Sequence, residues 1–222
     1  MIARFKDLCI DAAEPVRVAR FWAAALGLAM EEQENGDAVL RGPGGVAVMW
    51  VNGVPEGKSV KNRVHPDLWV SSIAPLLELG AALQHDHDAF RVLTDPEGNE
   101  FCAFPAPGPL AAPAQLYALC TDSADPVAAA AWWAPLLGAT AASGPDGAPR
   151  YLTGGAGLGD LIWKFVGVDD ERVVKNRWHW DVVADAAELV AAGAVVQREP
   201  DDTIGWTVLT DPDGNEFCAF AR

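Results

Sequence analysis

The sequence lacks the features that mark several classes of protein. It has no apolar run of the roughly 18 residues that a membrane-spanning helix needs, and its first residues form neither a basic nor an apolar leader segment. A GxSxG nucleophile turn, a Walker loop, a GxGxxG motif between a strand and a helix, and an HExxH zinc motif are also absent. We therefore expect a soluble, cytoplasmic protein outside the enzyme classes that these motifs define.

Basic residues and histidines are scarce as well. The chain has 16 lysines and arginines against 31 aspartates and glutamates, only 4 histidines, and a formal net charge of -15. Because such a charge repels phosphate backbones and anionic membranes, we expect no nucleic-acid or membrane partner, and cationic or neutral ligands are favoured. The cysteines lie in apolar stretches without a CxxC pair, so we interpret them as reduced thiols: Cys9, Cys102, Cys120 and Cys218.

What the sequence does contain is an internal duplication. Three blocks recur in the same order, and one of them, LTDPEGNEFCAF, returns as LTDPDGNEFCAF with a single substitution. The paired blocks are 8–22 and 119–133, 61–67 and 175–181, and 93–104 and 209–220. A repeat of this length indicates two copies of one domain.

The boundary between the copies lies in a stretch rich in proline and alanine. The segment PAPGPLAAPA, 105–114, disfavours regular secondary structure and is typical of a linker. We therefore predict domain 1 at 1–104 and domain 2 at 115–222, each large enough to bury a core.

Within each copy the hydrophobic pattern changes from alternation to helical spacing and back. In domain 1 a short strand precedes a helix predicted over 15–26, with Pro15 in its first turn and Gly27 at its end. Three strands follow, and a second cycle begins at Val64. Each copy is thus predicted to contain two βαβββ units, and the DPxGN segments before the last strands are turns.

This pattern resembles the vicinal oxygen chelate superfamily, which includes glyoxalase I, bleomycin-resistance proteins and extradiol dioxygenases. The FW pair in the first helix, the KNRxHxD segment and DPxGNEFC are similar to glyoxalase-like domains abundant in actinobacteria. The resemblance implies an α+β fold of two tandem glyoxalase-like domains, each of two βαβββ units that form a curved, incomplete mixed-sheet barrel. It also implies a concave face for a ligand or metal, and a monomer that acts as a pseudo-dimer of domains.

In metal-using members of the superfamily, the first and fourth strands of each unit provide the ligands. Asp7 matches the first of these positions in domain 1, His65 the third, and Cys102 the fourth, whereas the second has no metal-binding residue in either copy. In domain 2 the first position is Ala118. The resemblance therefore implies at most one divalent metal, zinc, nickel, iron or manganese, held in domain 1 by Asp7, His65 and Cys102, with Glu100 as the alternative to Cys102.

The eroded ligand set favours binding over metal chemistry. We interpret the chain as a glyoxalase/bleomycin-resistance-like protein that binds a small organic molecule in a concave, aromatic and acidic cleft without a complete metal site. The alternative is a divalent-metal-dependent lyase, isomerase or dioxygenase with its site in domain 1. A third reading is metal-free acid–base catalysis by one of the two repeated histidines; no catalytic residue is assigned. The predicted ligand-binding residues are Trp50, His65, Asp67, Trp69, Glu100, Cys102, Trp163, His179, Asp181, Glu216 and Cys218.

Overall fold

The computed structural model describes residues 1–222 and contains four consecutive βαβββ units. The first unit consists of β1 (Ala3–Ala12), α1 (Pro15–Leu26), β2 (Ala29–Glu32), β3 (Ala38–Arg41) and β4 (Ala47–Gly53). The second consists of β5 (Val64–Val70), α2 (Ala74–Glu78), β6 (Ala82–Asp86), β7 (Arg91–Thr94) and β8 (Glu100–Pro105). The third consists of β9 (Ala114–Ser123), α3 (Pro126–Leu137), β10 (Thr140–Ser143), β11 (Pro149–Thr153) and β12 (Ile162–Gly167). The fourth consists of β13 (Trp178–Ala184), α4 (Ala186–Ala191), β14 (Val195–Arg198), β15 (Thr207–Thr210) and β16 (Glu216–Phe220).

The strands of every unit follow one order in the sheet. The first strand is next to the fourth, which is followed by the third and the second. The first strand runs parallel to the fourth in the pairs β1/β4, β5/β8 and β13/β16, and the neighbouring hairpins are antiparallel. The sheets are mixed and do not close, which confirms the predicted α+β fold of tandem βαβββ units.

Helix α1 shows how local sequence sets an element. Pro15 occupies its first turn, where a missing N–H costs nothing, and Gly27 ends it in the left-handed region at φ 66°. Its buried face includes Phe21 and Trp22. The helix bounds are those that the sequence predicts. None of the helices combines the length and hydropathy that a membrane crossing requires.

The chain packs as two compact bodies that differ from the two sequence repeats. Body 1 consists of Met1–Asp7 and Cys120–Arg222, and body 2 consists of Leu8–Leu119. Strands β1 and β9 are each divided between the bodies. In body 1 the aromatic core includes Trp133, with its ring centroid 4.9 Å from that of Trp163 and 5.6 Å from that of Trp180.

In body 2 a chain of buried hydrogen bonds joins segments that are distant in sequence. The Trp22 indole donates from α1 to the Asp95 carboxylate at 3.2 Å. Asn99 donates to the same carboxylate through its backbone N–H, at 2.9 Å, and its side-chain amide. Asn62 then donates to the Asn99 side-chain oxygen at 3.1 Å. This Trp–Asp–Asn–Asn chain fixes the turn before β8 against α1 and the segment before β5.

Body 1 contains the same chain at the repeated positions. Trp133 donates to Asp211 at 3.1 Å, the Asn215 backbone N–H donates to Asp211 at 2.8 Å, and Asn176 donates to Asn215 at 3.0 Å. The three repeated sequence blocks are therefore the three partners of one buried hydrogen-bond network. These contacts give the two DPxGN turns a structural role.

Burial and hydrogen bonding shift the pKa of the two turn carboxylates, Asp95 and Asp211, in opposite directions. Desolvation is the larger effect and raises the pKa of both Asp95 and Asp211 above the ordinary value of 3.8, although the amide and indole donors lower it. The folded protein consequently holds a proton on these groups at a pH at which the unfolded chain has released it.

We expect Asp95 to make the free energy of unfolding depend on pH in a defined direction. Because its folded pKa is raised, its contribution is complete below about pH 3.8 and is lost as the pH rises through the folded value. The Asp95→Asn variant cannot titrate at this position and serves as the reference. The difference in free energy of unfolding, wild type minus variant, should therefore fall as the pH rises from about 3.8 through the folded pKa of Asp95. Urea denaturation of both proteins from pH 3 to 7 measures this difference.

Asp201→Asn is the matched control. Asp201 is exposed, and hydrogen bonds from Thr203 and Arg198 lower its pKa. The difference in free energy of unfolding between the wild type and Asp201→Asn should change only below about pH 3.8. There it should fall as the pH decreases, which is the opposite direction to Asp95. A difference for Asp95 that stays constant or increases from pH 4 upward would contradict the assignment.

Candidate functional site

One face of body 2 collects most of the residues that the sequence predicts for domain 1. Strand alternation places His65, Asp67 and Trp69 on the same face of β5. The parallel register sets Asp67 beside Cys102 and Trp69 beside Phe104 on β8. We call the face formed by these residues and by Tyr117 of the neighbouring β9 the β5/β8 face.

Three potential metal ligands or proton-transfer groups meet on this face. One donor atom each from His65, Asp67 and Cys102 lies within 4.8 Å of the other two. His65 Nε2 is 3.5 Å from Asp67 Oδ1, and His65 and Cys102 are half-buried whereas Asp67 is buried. The structure therefore brings together two of the three predicted metal ligands and adds Asp67 to them.

The third predicted ligand, Asp7, has a different environment. It belongs to body 1, and its carboxylate accepts a hydrogen bond from Lys6 Nζ at 2.7 Å. The predicted set of Asp7, His65 and Cys102 thus stays a prediction, and Asp67 is the carboxylate of the donor group in body 2.

Two glutamates predicted as ligand-binding residues are held by cations. Glu100 accepts from Lys58 Nζ at 2.9 Å and from the backbone N–H of Asn62 at 3.1 Å. Glu216 is paired with Arg172 and accepts from the backbone N–H of Asn176 at 3.2 Å. A carboxylate with these partners is a poor additional ligand for a metal. Lys58 and Arg172 lie in loops outside the near-identical blocks, so the sequence did not identify them.

Aromatic rings continue the β5/β8 face beyond the His–Asp–Cys group. Trp69 stacks on Tyr117 with ring centroids 3.8 Å apart and an interplanar angle of 15°. Phe104 meets Tyr117 edge to face at 5.6 Å and stacks with Phe90 at 5.0 Å. All four rings are half-buried, so each leaves part of its surface open. Phe90, Phe104 and Tyr117 were not among the predicted site residues.

The two remaining tryptophans of the predicted set lie elsewhere. Trp50 is on β4, beside Cys9 of β1, in a different sheet from β5. Trp163 is fully buried in the core of body 1 and donates its indole N–H to Thr121 Oγ1 at 2.9 Å. Their role in ligand binding stays a prediction.

Body 1 carries the corresponding residues of the second repeat. His179 and Asp181 share one face of β13, and the register sets Asp181 beside Cys218 and Val183 beside Phe220 on β16. His179, Asp181 and Cys218 are all buried. Val183 stands where body 2 has Trp69, so this face has no equivalent of the stacked Trp69–Tyr117 pair.

Body 2 also has an apolar cavity of about 340 Å³ at a separate place. It is lined by the end of α1, by β4, and by the start of β9 with the segment before it, including Leu26, Met49, Leu110 and Leu116. None of the His–Asp–Cys residues lines it. We therefore place the candidate site on the β5/β8 face, where polar and aromatic groups converge.

Comparisons with solved structures agree with this architecture. Glyoxalase I from Zea mays is similar with a TM-score of 0.69 and 13% sequence identity, covering 98% of this chain and 92% of that chain. A putative dioxygenase from Bacillus subtilis has a TM-score of 0.61 and 10% identity, covering 98% and 84%. The cppA protein from Streptococcus pneumoniae has a TM-score of 0.56 and 10% identity, covering 100% of both chains. At these identities the similarity shows the fold.

The arrangement of paired βαβββ units defines a protein of the glyoxalase fold. The glyoxalase-like domain family matches residues 7–104 and 118–220, which is most of the sequence. The chain therefore belongs to the glyoxalase-like domain family of the vicinal oxygen chelate superfamily. No curated protein sequence matches it.

The pairing of Glu100 leads to a stability prediction. In Lys58→Met the buried Glu100 loses its ionic partner, so we expect the free energy of unfolding to fall by about 1–3 kcal/mol. Arg17→Met removes the exposed Arg17–Glu14 pair and should change it by less than about 0.5 kcal/mol. Urea denaturation at pH 7 measures both variants, and equal effects would contradict a structural role for Lys58.

Proposed function

We propose that this chain binds a small organic molecule on the β5/β8 face of body 2. The observation that carries the proposal is the convergence of the His65–Asp67–Cys102 group with four half-buried aromatic rings on one side of the sheet. A few polar groups beside partly open rings are typical of a ligand site. Aromatic surface binds flat molecules by stacking, and the polar group orients them.

The polar group fits a binding role without further chemistry. His65 supplies a ring that can donate or accept, and Asp67 supplies a carboxylate 3.5 Å away. Glu100, at the start of β8, is occupied by Lys58 and supports the strand end. The ligand therefore contacts His65, Asp67 and Cys102 at one end and Trp69, Phe104 and Tyr117 at the other.

Replacing Trp69 tests the proposal directly. In Trp69→Leu the stacking surface is lost, and we expect the affinity for aromatic fragments that bind the wild type to fall about tenfold, since such contacts contribute up to about 1.5 kcal/mol. Ligand-observed NMR with a fragment set identifies the ligands, and calorimetry gives their affinities.

Tyr151→Leu is the control for this experiment. Tyr151 is a half-buried ring on β11 in body 1, so its replacement should leave the affinities unchanged. The proposal fails if no fragment binds the wild type, or if both variants weaken binding equally.

A metal-dependent reaction is the second candidate, and the donor group favours it. Ligands of a tetrahedral zinc ion lie about 2.0–2.3 Å from the metal and hence roughly 3.3–3.8 Å from one another. The three atoms that meet here lie within 4.8 Å of one another, which is close to this spacing. His65, Asp67 and Cys102 would hold the ion and leave a position open for substrate. When bound, such a metal polarises substrate oxygens, as lyase, isomerase or dioxygenase chemistry needs.

Metal content separates the two candidates. The second predicts about one equivalent of zinc, nickel, iron or manganese per chain in protein purified without chelators or a metal column, measured by inductively coupled plasma mass spectrometry. His65→Ala should lose this metal, whereas His85→Ala, an exposed histidine of the same body, should retain it. Wild-type protein without metal that still binds aromatic fragments would exclude the second candidate and leave the first.

A further inference from the structure

A stacked pair of rings recurs at the same position in both repeats. In body 2 the pair is Phe90 and Phe104, with centroids 5.0 Å apart at 20°. In body 1 it is Trp206 and Phe220, with centroids 5.2 Å apart at 27°. Phe104 and Phe220 end the same repeated block, so the two pairs are equivalent by sequence and by geometry.

In body 1 a lysine of the chain itself lies on this aromatic pair. Lys6 Nζ is 4.3 Å from the centre of the Phe220 ring, within the range of cation–π attraction. The same ammonium is 2.7 Å from the Asp7 carboxylate and 3.4 Å from that of Asp181. The face therefore holds a cation between an aromatic ring and carboxylates.

Body 2 has the ring and the carboxylate at the same positions without the lysine. Asp67 corresponds to Asp181 and Phe104 to Phe220, whereas the position of Lys6 is taken by Tyr117. Tyr117 and its stacking partner Trp69 add two aromatic rings in place of the amine. The β5/β8 face consequently has the same ring and carboxylate that contact the Lys6 ammonium in body 1. It has more aromatic surface, because Tyr117 stands at the position of the lysine.

We infer that the β5/β8 face binds an organic ammonium ion, held over Phe104, Tyr117 and Trp69 and near Asp67. This inference rests on the proposed function and names the class of its ligand. Lys6 shows, in the equivalent part of body 1, which chemical group such a face accommodates. The net charge of -15 also favours a cation over an anion.

Differences between the β5/β8 face and its equivalent in body 1 indicate which kind of ammonium ion the β5/β8 face binds. Body 2 has Ala118 where body 1 has Asp7, so one of the two carboxylates that accept hydrogen bonds from the Lys6 ammonium has no equivalent. With fewer acceptors and more rings, the face suits an ammonium with few N–H donors. The ligand is therefore a tertiary or quaternary ammonium ion with an aromatic or alkyl substituent.

Calorimetric titration with three probes that share a phenyl ring tests the inference. The probes are benzyltrimethylammonium, the neutral benzyl alcohol and the anionic phenylacetate. We expect the ammonium to bind at least about tenfold more tightly than the other two. Phe104→Leu should weaken its binding about three- to tenfold, whereas Phe220→Leu, the matched change in body 1, should not.

The probes distinguish failure of this inference from failure of the proposed function. Equal binding of the alcohol and the ammonium, lost in Trp69→Leu, would overturn the ammonium assignment and leave the proposed function standing. Binding of none of the three probes, together with an empty fragment screen, would overturn both.

Lys6 offers an independent test in body 1. In Lys6→Ala the chain's own ammonium is removed from Phe220 and Asp181, so we expect a second binding event for the ammonium probe that Phe220→Leu abolishes. If Lys6→Ala folds, as circular dichroism checks, and binds no additional ammonium, the comparison between the two faces is wrong. If it does not fold, the Phe104→Leu and Phe220→Leu pair still decides the outcome.

Discussion

The buried carboxylate of the DPxGN turn is the constraint on which each half of the structure depends. An ionisable group at this depth is costly unless donors surround it. Asp95 receives donors from α1 and from its own turn, and Asn62 extends the chain to the segment before β5. Since β5 and β8 both start from this chain, it sets the relative positions of His65 and Cys102.

This network explains which parts of the sequence stayed alike after duplication. The network needs a tryptophan in the helix, an asparagine before β5 and an aspartate in the turn. Substitution of any one of them would leave a buried donor or acceptor unsatisfied. Some residues that project from the sheet face are under no such requirement. Val183 stands in the second repeat where the first has Trp69, and Tyr117 stands where the first has Lys6, while the network is the same in both. The aromatic part of the face can therefore differ between repeats without change to the scaffold.

The sequence predicted the features that depend on local patterns. Proline and glycine marked the ends of α1, the turn residues marked the hairpins, and alternation placed His65, Asp67 and Trp69 on one face. The remaining features depend on partners distant in sequence. The cations on Glu100 and Glu216 come from loops whose conformation no repeat indicated, and Tyr117 joins the face only because β9 is next to β5. Alternation also could not show that Trp163 is in the core, since apolar residues occur on both faces of its strand.

The division of β1 between the two bodies has a consequence for fragments of the chain. Body 2 is one uninterrupted stretch, Leu8–Leu119, whereas body 1 combines Met1–Asp7 with Cys120–Arg222. Each body therefore contains nearly all of one repeat, but the first half of β1 packs with the second repeat. A fragment cut within 105–114 would take the last residues of body 2 away from it and would leave Met1–Asp7 on the other fragment from the rest of body 1. The limits of the duplicated segment are thus not the limits of the unit that packs.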